Sequence, residues 1–407
     1  MRARGLGQDD LRRHNLSAVL HRVHDRGQVS RAELTESTGL NRSTVGDLVS
    51  GLAAAGLVVE DRPEPAARAR AGRPSLVVRP RPGAVSAVAA YVDVHALHVV
   101  RVGLGGQVLD RRREPHAPRP DSAGVARRIA ALTAELAPAG WPERAGLVGV
   151  GVAVPGTVRS EDGSVAVAPH LGWEDVPLAT LVGAAVAADL GTRVRVDVAN
   201  DADLGVHAER LRGAAQGCTD VIYLCGTLGL GGGIVCGGRP LVGSRGFAGE
   251  VAHVSVDPAG RACRCGSRGC WESEALADAW ALPFDLDAHD PRVAALVAGR
   301  LAVGDVVARR TRDRISRSYA RGLASIANVF DPQVVVLGAG LWRDLWPEVS
   351  GDVLPWLQRL VIPVLRERLP VRLAGLGPDS TVLGAAELAF APLLADPLGA
   401  LGDRATA

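Results

Sequence analysis

The chain has 407 residues, enough for two or three domains with cores of their own, and its 47% apolar content is that of a globular protein. No run of 18 apolar residues occurs and the opening stretch lacks the apolar core of a secretory signal, so no membrane span is expected and the expected location is the cytoplasm. The net charge of +2, with every basic residue an arginine, conceals a split: residues 1–81 hold 14 Arg against 9 acidic residues (+5), while the remainder holds 32 against 35 (−3), so a nucleic-acid-binding head is expected at the N-terminus.

Leu16, Val19, Leu20 and Val23 recur at helical spacing and predict a first helix ended by Gly27. Ser30-Arg-Ala-Glu33 reads as a capping box that opens a short second helix, with Ala32 and Leu34 expected inward. Thr38-Gly39-Leu40 is the tight turn of a helix-turn-helix, and Asn41 caps a third helix with Val45, Leu48, Val49 and Leu52 as its buried stripe. Arg42, Ser43, Thr44 and Asp47 fall outside that stripe, where a recognition helix meets the major groove. A strand beginning at Gly56-Leu57-Val58 and a return strand at Leu76-Val77-Val78 frame a wing. Its tip carries Arg68, Arg70 and Arg73, suited to a minor groove or a phosphate track, although a solvated hairpin tip has the same composition. Residues 1–82 are thus expected to form a winged helix-turn-helix, bounded by Pro80-Arg81-Pro82-Gly83.

Beyond it the chain reads as α/β. Apolar runs occupy 84–92 and 97–104, a helix is expected over 122–136, and a buried strand over 146–154 ends in Pro155-Gly156. Ala168-Pro169-His170-Leu171-Gly172-Trp173 follows. A strand over 194–198 delivers Asn200 and Asp201 at the sheet edge where ligands sit in open α/β folds, yet both residues are also favoured helix N-caps. The run from Gly226 to Gly233 fits a phosphate-cradling loop and a hairpin connection alike. A long helix pair over 292–326 and a closing helix over 380–394 complete the pattern.

Cys263-Arg-Cys265-Gly-Ser-Arg-Gly-Cys270-Trp-Glu272 places three of the six cysteines within eight residues, and His253 lies ten residues before the first. Three thiolates and one imidazole make a closed tetrahedral zinc set, whereas a disulfide would leave one cysteine over. One structural Zn2+ per chain, held by His253, Cys263, Cys265 and Cys270, is the expectation. Gly266 and Gly269 supply the tight turns that the loop needs.

The same stretch, His-x9-Cys-x-Cys-Gly-x-x-Gly-Cys-x-Glu, resembles the signature of the ROK family of sugar kinases and sugar-responsive repressors. The resemblance extends over residues 10–397. It implies a two-lobed actin-like (RNase H-like) ATPase-fold body, with a small lobe over 83–198 completed by a C-terminal helix at about 380–397 and a large lobe with the zinc site over 199–379. It also implies that His170, Asn200, Asp201, Glu250, His253 and Glu272 face a sugar. In family kinases the residue matching Asp201 is the general base. Family kinases also carry Asp-x-Gly-Gly-Thr at the first phosphate turn, where this chain has Asp93-Val94-His95-Ala96-Leu97. A backbone cradle for phosphate needs positions without Cβ, and His95 and Leu97 are expected to crowd it. Two further departures are His170, where Asn is usual, and Ala252, where Gly is usual and a methyl is expected to tighten the approach beside His253.

The expected protein is therefore a transcriptional regulator, a repressor whose head binds double-stranded operator DNA and whose non-catalytic body senses a sugar or sugar derivative. A homodimer or dimer of dimers would match a palindromic operator. The alternative is an ATP-dependent sugar kinase with a DNA-binding head, favoured by Asp201 and the glycine run. A regulator answering to a non-sugar ligand is a third reading that His170 and Ala252 leave open.

Overall fold

The helical spacing of Leu16, Val19, Leu20 and Val23 produces α1 (Gln8–Arg26), and all four side chains are buried. The computed structural model describes residues 7–62, 75–137, 146–244 and 246–402. Strand β1 (Val29–Ser30) follows α1, and Ser30 then opens α2 (Arg31–Thr38). The Ser30 hydroxyl accepts from the Glu33 N–H at 3.2 Å, while the Glu33 carboxylate accepts from the Ser30 N–H at 2.7 Å, the capping box predicted above. Leu34 is buried, but Ala32 is exposed. Two residues apart on a helix means opposite faces, so a two-turn helix cannot turn both inward. Asn41 caps α3 (Arg42–Ala54) by accepting from the Thr44 N–H at 2.9 Å, and Val45, Leu48, Val49 and Leu52 are buried as predicted. β2 (Val58–Asp61) pairs antiparallel with β3 (Val77–Pro80), Val58 opposite Pro80, and β1 adds to the other edge of β3. The tip with Arg68, Arg70 and Arg73 lies outside the described residues.

The first half of the body is a five-stranded sheet. The meander β4 (Val85–Val92), β5 (Ala96–Gly103) and β6 (Val108–Pro115) leads through α4 (Ser122–Leu136) to β7 (Gly146–Val154), which pairs parallel with β4. A small sheet of β8 (Thr157–Val158), β9 (Val165–Ala168) and β10 (Trp173–Val176) leads to α5 (Leu178–Leu190) and β11 (Val196–Asn200). β11 pairs parallel with β7, giving the order β11-β7-β4-β5-β6. Helix α6 (Asp201–Arg212) starts where β11 stops.

The second half holds β12 (Val221–Gly226), β13 (Gly231–Cys236) and β14 (Arg239–Pro240), then the short helices α7 (Trp271–Ala275) and α8 (Ala277–Ala281). α9 (Val293–Ala302) and the long α10 (Val306–Phe330) form the predicted helix pair, and β15 (Val334–Gly340), α11 (Leu341–Leu360) and β16 (Val371–Leu373) complete a sheet of order β14-β13-β12-β15-β16. Two sheets of mixed α/β structure facing one cleft are the two-lobed actin-like body expected from the sequence.

The chain ends its run through the body with α12 (Ser380–Ala395), which returns to the first lobe. The approach is backbone-close. A Cβ on Gly151 of β7 would fall 1.9 Å from the Ala385 carbonyl oxygen, and one on Gly384 would fall 2.0 Å from that of Leu204 on α6. Phe390, Leu393 and Leu394 of α12 belong to the same buried apolar cluster as Leu16, Val19 and Leu20 of α1 and Val85 and Val102 of the first lobe. Head and first lobe therefore share one core.

Candidate functional site

A cleft of about 590 Å³ opens between the two sheets. β7 delivers Pro155-Gly156 to its floor, where a Cβ on Gly156 would fall 2.5 Å from the Val167 carbonyl oxygen. β11 delivers Asn200 and Asp201. The Asn200 side chain caps α6, Oδ1 accepting from the N–H groups of Ala202 (2.8 Å) and Asp203 (3.1 Å), while Nδ2 donates to the Gly156 carbonyl at 2.9 Å. Asn200 thus ties the two strand ends together, which is the capping role its residue type allows.

Asp201 is 5% exposed. Its Oδ2 accepts from the Tyr91 hydroxyl at 3.2 Å and its Oδ1 from the Ala202 N–H at 2.9 Å. Neither hydrogen bond offsets the loss of water, and burial pushes the carboxyl up to about 7. Asp203, one short step along α6, is pushed up to about 6 by burial and by the neighbouring Glu250. Asp203 was not among the residues singled out in the sequence, where an acid in a first helical turn has an ordinary dipole-matching role.

The cysteine loop is shaped by its glycines. Gly266 (φ 92°) and Gly269 (φ 64°) are left-handed, and a Cβ on Gly269 would fall 1.5 Å from the Asp257 carbonyl oxygen. His253 stands on the single turn Val251–His253. The ligand atoms of His253, Cys263, Cys265 and Cys270 lie within 4.8 Å of one another. Nδ1 of His253 is 3.8 Å from Cys263 Sγ, and Cys265 Sγ is 3.7 Å from Cys270 Sγ. Metal–sulfur bonds of about 2.3 Å in a tetrahedron place sulfurs about 3.8 Å apart, so these four residues fit a zinc-sized ion. The other ring nitrogen, Nε2, faces Glu250 Oε2 at 3.8 Å.

Glu272 follows Cys270 at the start of α7. Its Oε2 accepts from the Leu230 N–H at 3.0 Å. Beneath it Trp271 is fully buried and meets α10 at Gly322, where a Cβ would fall 1.9 Å from the indole ring, and Trp342 packs edge-on at 5.3 Å. The carboxylate therefore stands on a rigid base. His170 reaches the cleft from the other lobe, with Nδ1 3.1 Å from Arg264 Nη1, and burial followed by the Arg264 charge holds its imidazole down at about 4. Arg264 was also missed in the sequence, although its place between two expected metal ligands marked it as part of the loop.

His170, Asn200, Asp201, Glu250, His253 and Glu272 all line this one cleft. Two expectations about neighbouring residues are corrected. Ala252 is buried in the apolar core of the second lobe and does not border the cleft. In the first turn Asp93 and Val94 line the cleft, while Leu97 packs into the first lobe's core and His95 does not face the cleft. A strand presents alternate residues to opposite faces, which sends Leu97 inward. In the head, Arg42, Ser43 and Asp47 are exposed and Thr44 is half-buried, outside the α3 stripe as predicted.

The ROK family model matches residues 94–391. A xylose repressor of Caldicellulosiruptor bescii is 25% identical over 405 residues, covering 95% of this chain and 98% of its own. A glucokinase of Streptomyces coelicolor is 32% identical over 272 residues, covering 62% of this chain and 82% of its own. Among solved structures, a ROK family transcriptional regulator, homolog of the E. coli MLC protein, matches with a TM-score of 0.74 at 23% identity, over 98% of this chain and 100% of its own. Fold, cleft and sequence likeness agree, and the chain belongs to the ROK family.

Proposed function

We propose that the protein is a DNA-binding transcriptional repressor whose ROK body is a sensor of a sugar or sugar derivative. One observation carries the reading: a single helix, α6, carries the cleft acid Asp201 at one end and holds the DNA-binding head at the other. At its C-terminus Arg212 donates to Glu387 of α12 at 2.6 Å and to the His24 carbonyl of α1 at 3.1 Å. His24 Nε2 lies 2.7 Å from Glu387, and its Nδ1 accepts from the Gly105 N–H at 2.9 Å, so Nε2 carries the proton toward the carboxylate. At the other end the Thr381 hydroxyl of α12 donates to the Asp201 carbonyl at 3.2 Å. A shift of Asp201 on ligand binding is thereby transmitted to α1 through two helices in backbone contact. The full-length likeness to a protein named xylose repressor supports the same reading.

In this reading Arg42, Ser43, Thr44 and Asp47 read the operator, with Arg68, Arg70 and Arg73 along its minor groove or phosphate track, and two copies of the chain span a palindromic site. One structural Zn2+ held by His253, Cys263, Cys265 and Cys270 keeps Glu250 and Glu272 in place. It supplies no chemistry beyond fixing the loop and the His253 ring. The body is taken as non-catalytic because the first turn carries His95, Ala96 and Leu97 where the family kinases have two glycines and a threonine, so the Cβ-free backbone and the hydroxyl that admit phosphate are missing. A kinase reading is favoured by Asp201, whose raised pKa suits a general base, and by the glucokinase likeness.

The test is a mobility-shift titration of the full-length zinc-loaded protein on a duplex that it enriches from a random library, with and without D-xylose or D-glucose. Ligand-dependent affinity, lost in Asp201→Asn, and no ADP release with either sugar are expected. Absence of sequence-selective binding would end the repressor reading. Asp201-dependent ADP release would replace it with the kinase.

A further inference from the structure

Arg264 stands between Cys263 and Cys265 on the metal loop of one lobe, and its guanidinium reaches His170 on the other, Nη1 to Nδ1 at 3.1 Å. Its second nitrogen is 3.6 Å from Asp278. A guanidinium only donates, so Nδ1 of His170 is the accepting nitrogen. An imidazolium accepts nothing, and the desolvated ring is neutral at physiological pH. The remaining ring proton therefore sits on Nε2.

That nitrogen borders Gly229. A Cβ on Gly229 would fall 2.7 Å from His170 Nε2 and 3.0 Å from Glu272 Oε2. Two consequences follow. A side chain at 229 is excluded, and a hydrogen-bond donor and an acceptor lie beside one another at this end of the cleft. Glu272 is itself held, by the Leu230 N–H and by the buried Trp271. A hydroxyl is the simplest group that matches both, because it accepts through oxygen and donates through its hydrogen.

We propose that Arg264 is a positioning residue that locks His170 as an Nε2–H donor and so sets the selectivity of the cleft. A ligand hydroxyl accepts from His170 and donates to Glu272. The ligand class this selects is a neutral polyol, and an analogue lacking that hydroxyl or carrying it as an ether is rejected. An asparagine at position 170 has both a donor and an acceptor on one planar amide and specifies neither. The inference rests on the sugar-sensing reading, but its first test does not need a ligand.

That test is the tautomer of His170 in full-length, zinc-loaded protein labelled with 15N-histidine, the resonance assigned by its loss in His170→Asn. The wild type is expected to show Nε2–H, Arg264→Met a mixture of tautomers, and Arg264→Lys, which still donates, a return toward Nε2–H. Zinc content and melting temperature, measured alongside, are expected to stay unchanged because Arg264 is half-exposed. Calorimetry with D-xylose, D-glucose and their monodeoxy and O-methyl analogues is the second arm. Arg264→Met is expected to weaken the parent sugar at least tenfold and to narrow its advantage over one analogue. A wild-type proton on Nδ1, or an unchanged tautomer in Arg264→Met, overturns the positioning role. An unchanged parent-to-analogue ratio overturns the selectivity role. Failure of the wild type to bind any of these sugars removes the sugar reading instead, and the tautomer still decides what Arg264 does.

Discussion

Asp201 and Glu387 are buried alike, at 5% and 4% exposure, on the two helices that join the cleft to the head. They are treated in opposite ways. Glu387 has Arg212 on one oxygen and His24 on the other, and these partners hold its carboxyl below the ordinary range despite its burial. Asp201 has a phenol and a backbone N–H but no cation, and burial wins. A carboxylate that is fully compensated is part of a joint. One that is left undercompensated beside a cleft is held ready for something that donates to it. The contrast separates a mechanical element from a ligand-binding one within a single pair of helices.

The largest effect is expected from breaking the joint. Glu387→Ala leaves Arg212 and the buried His24 without their acceptor, and should destabilise the first lobe and head by about 3–5 kcal/mol. Urea unfolding followed by a probe in the head measures it, and a loss under about 1 kcal/mol would remove Glu387 from the joint.

Asp201→Asn should act in the other direction. With a folded-state pKa of about 7 against about 3.9 unfolded, the folded protein holds the extra proton between these values, so stability falls as pH rises from about 4 to 7 and stays low above. Asparagine removes that slope and should stabilise the protein by about 2–4 kcal/mol above pH 7, with little change near pH 4. The Glu387 contribution runs oppositely, present above the ordinary glutamate range and lost on acidification. Melting temperature against pH for wild type and Asp201→Asn distinguishes the two slopes, and parallel curves would contradict the assignment.

The smallest effect is expected from Arg212→Lys, which keeps a charge for Glu387 but cannot also reach the His24 carbonyl through a fixed fork. A loss of about 1 kcal/mol is expected, together with a weakened ligand response in the operator assay. An unchanged response at lowered stability would make Arg212 structural only.

What could be read from the sequence was what local spacing encodes. The caps at Ser30 and Asn41, the stripe of α3 and the cysteine loop each fall within about a dozen residues, where helical period and ligand geometry act directly. Family likeness brought Glu250, His253 and Glu272 to one cleft, but not the direction of each side chain. Val94 lines the cleft where His95 and Leu97 were expected, because Val94 and His95 lie in the turn between β4 and β5, where no period tells which side chain turns inward. The joint was invisible: His24 and Glu387 are 363 residues apart, and nothing local marks either. Arg264 and Asp203 were missed for a related reason. An arginine in a loop and an aspartate in a helix's first turn look solvated until the fold brings another lobe or another carboxylate beside them.

The shared core between α1 and α12 has a consequence for the order in which the protein comes into being. Residues 8–26 leave the ribosome long before residues 380–395, and until these arrive the buried His24 has neither the Glu387 carboxylate nor the Phe390 ring beside it. The nascent head therefore waits through the synthesis of the whole body with this part of α1 uncovered. A chain interrupted before the last helix cannot complete that contact. Such a fragment would keep the packing of α1 within the head but would lack the joint, so only a completed chain would couple its cleft to its head.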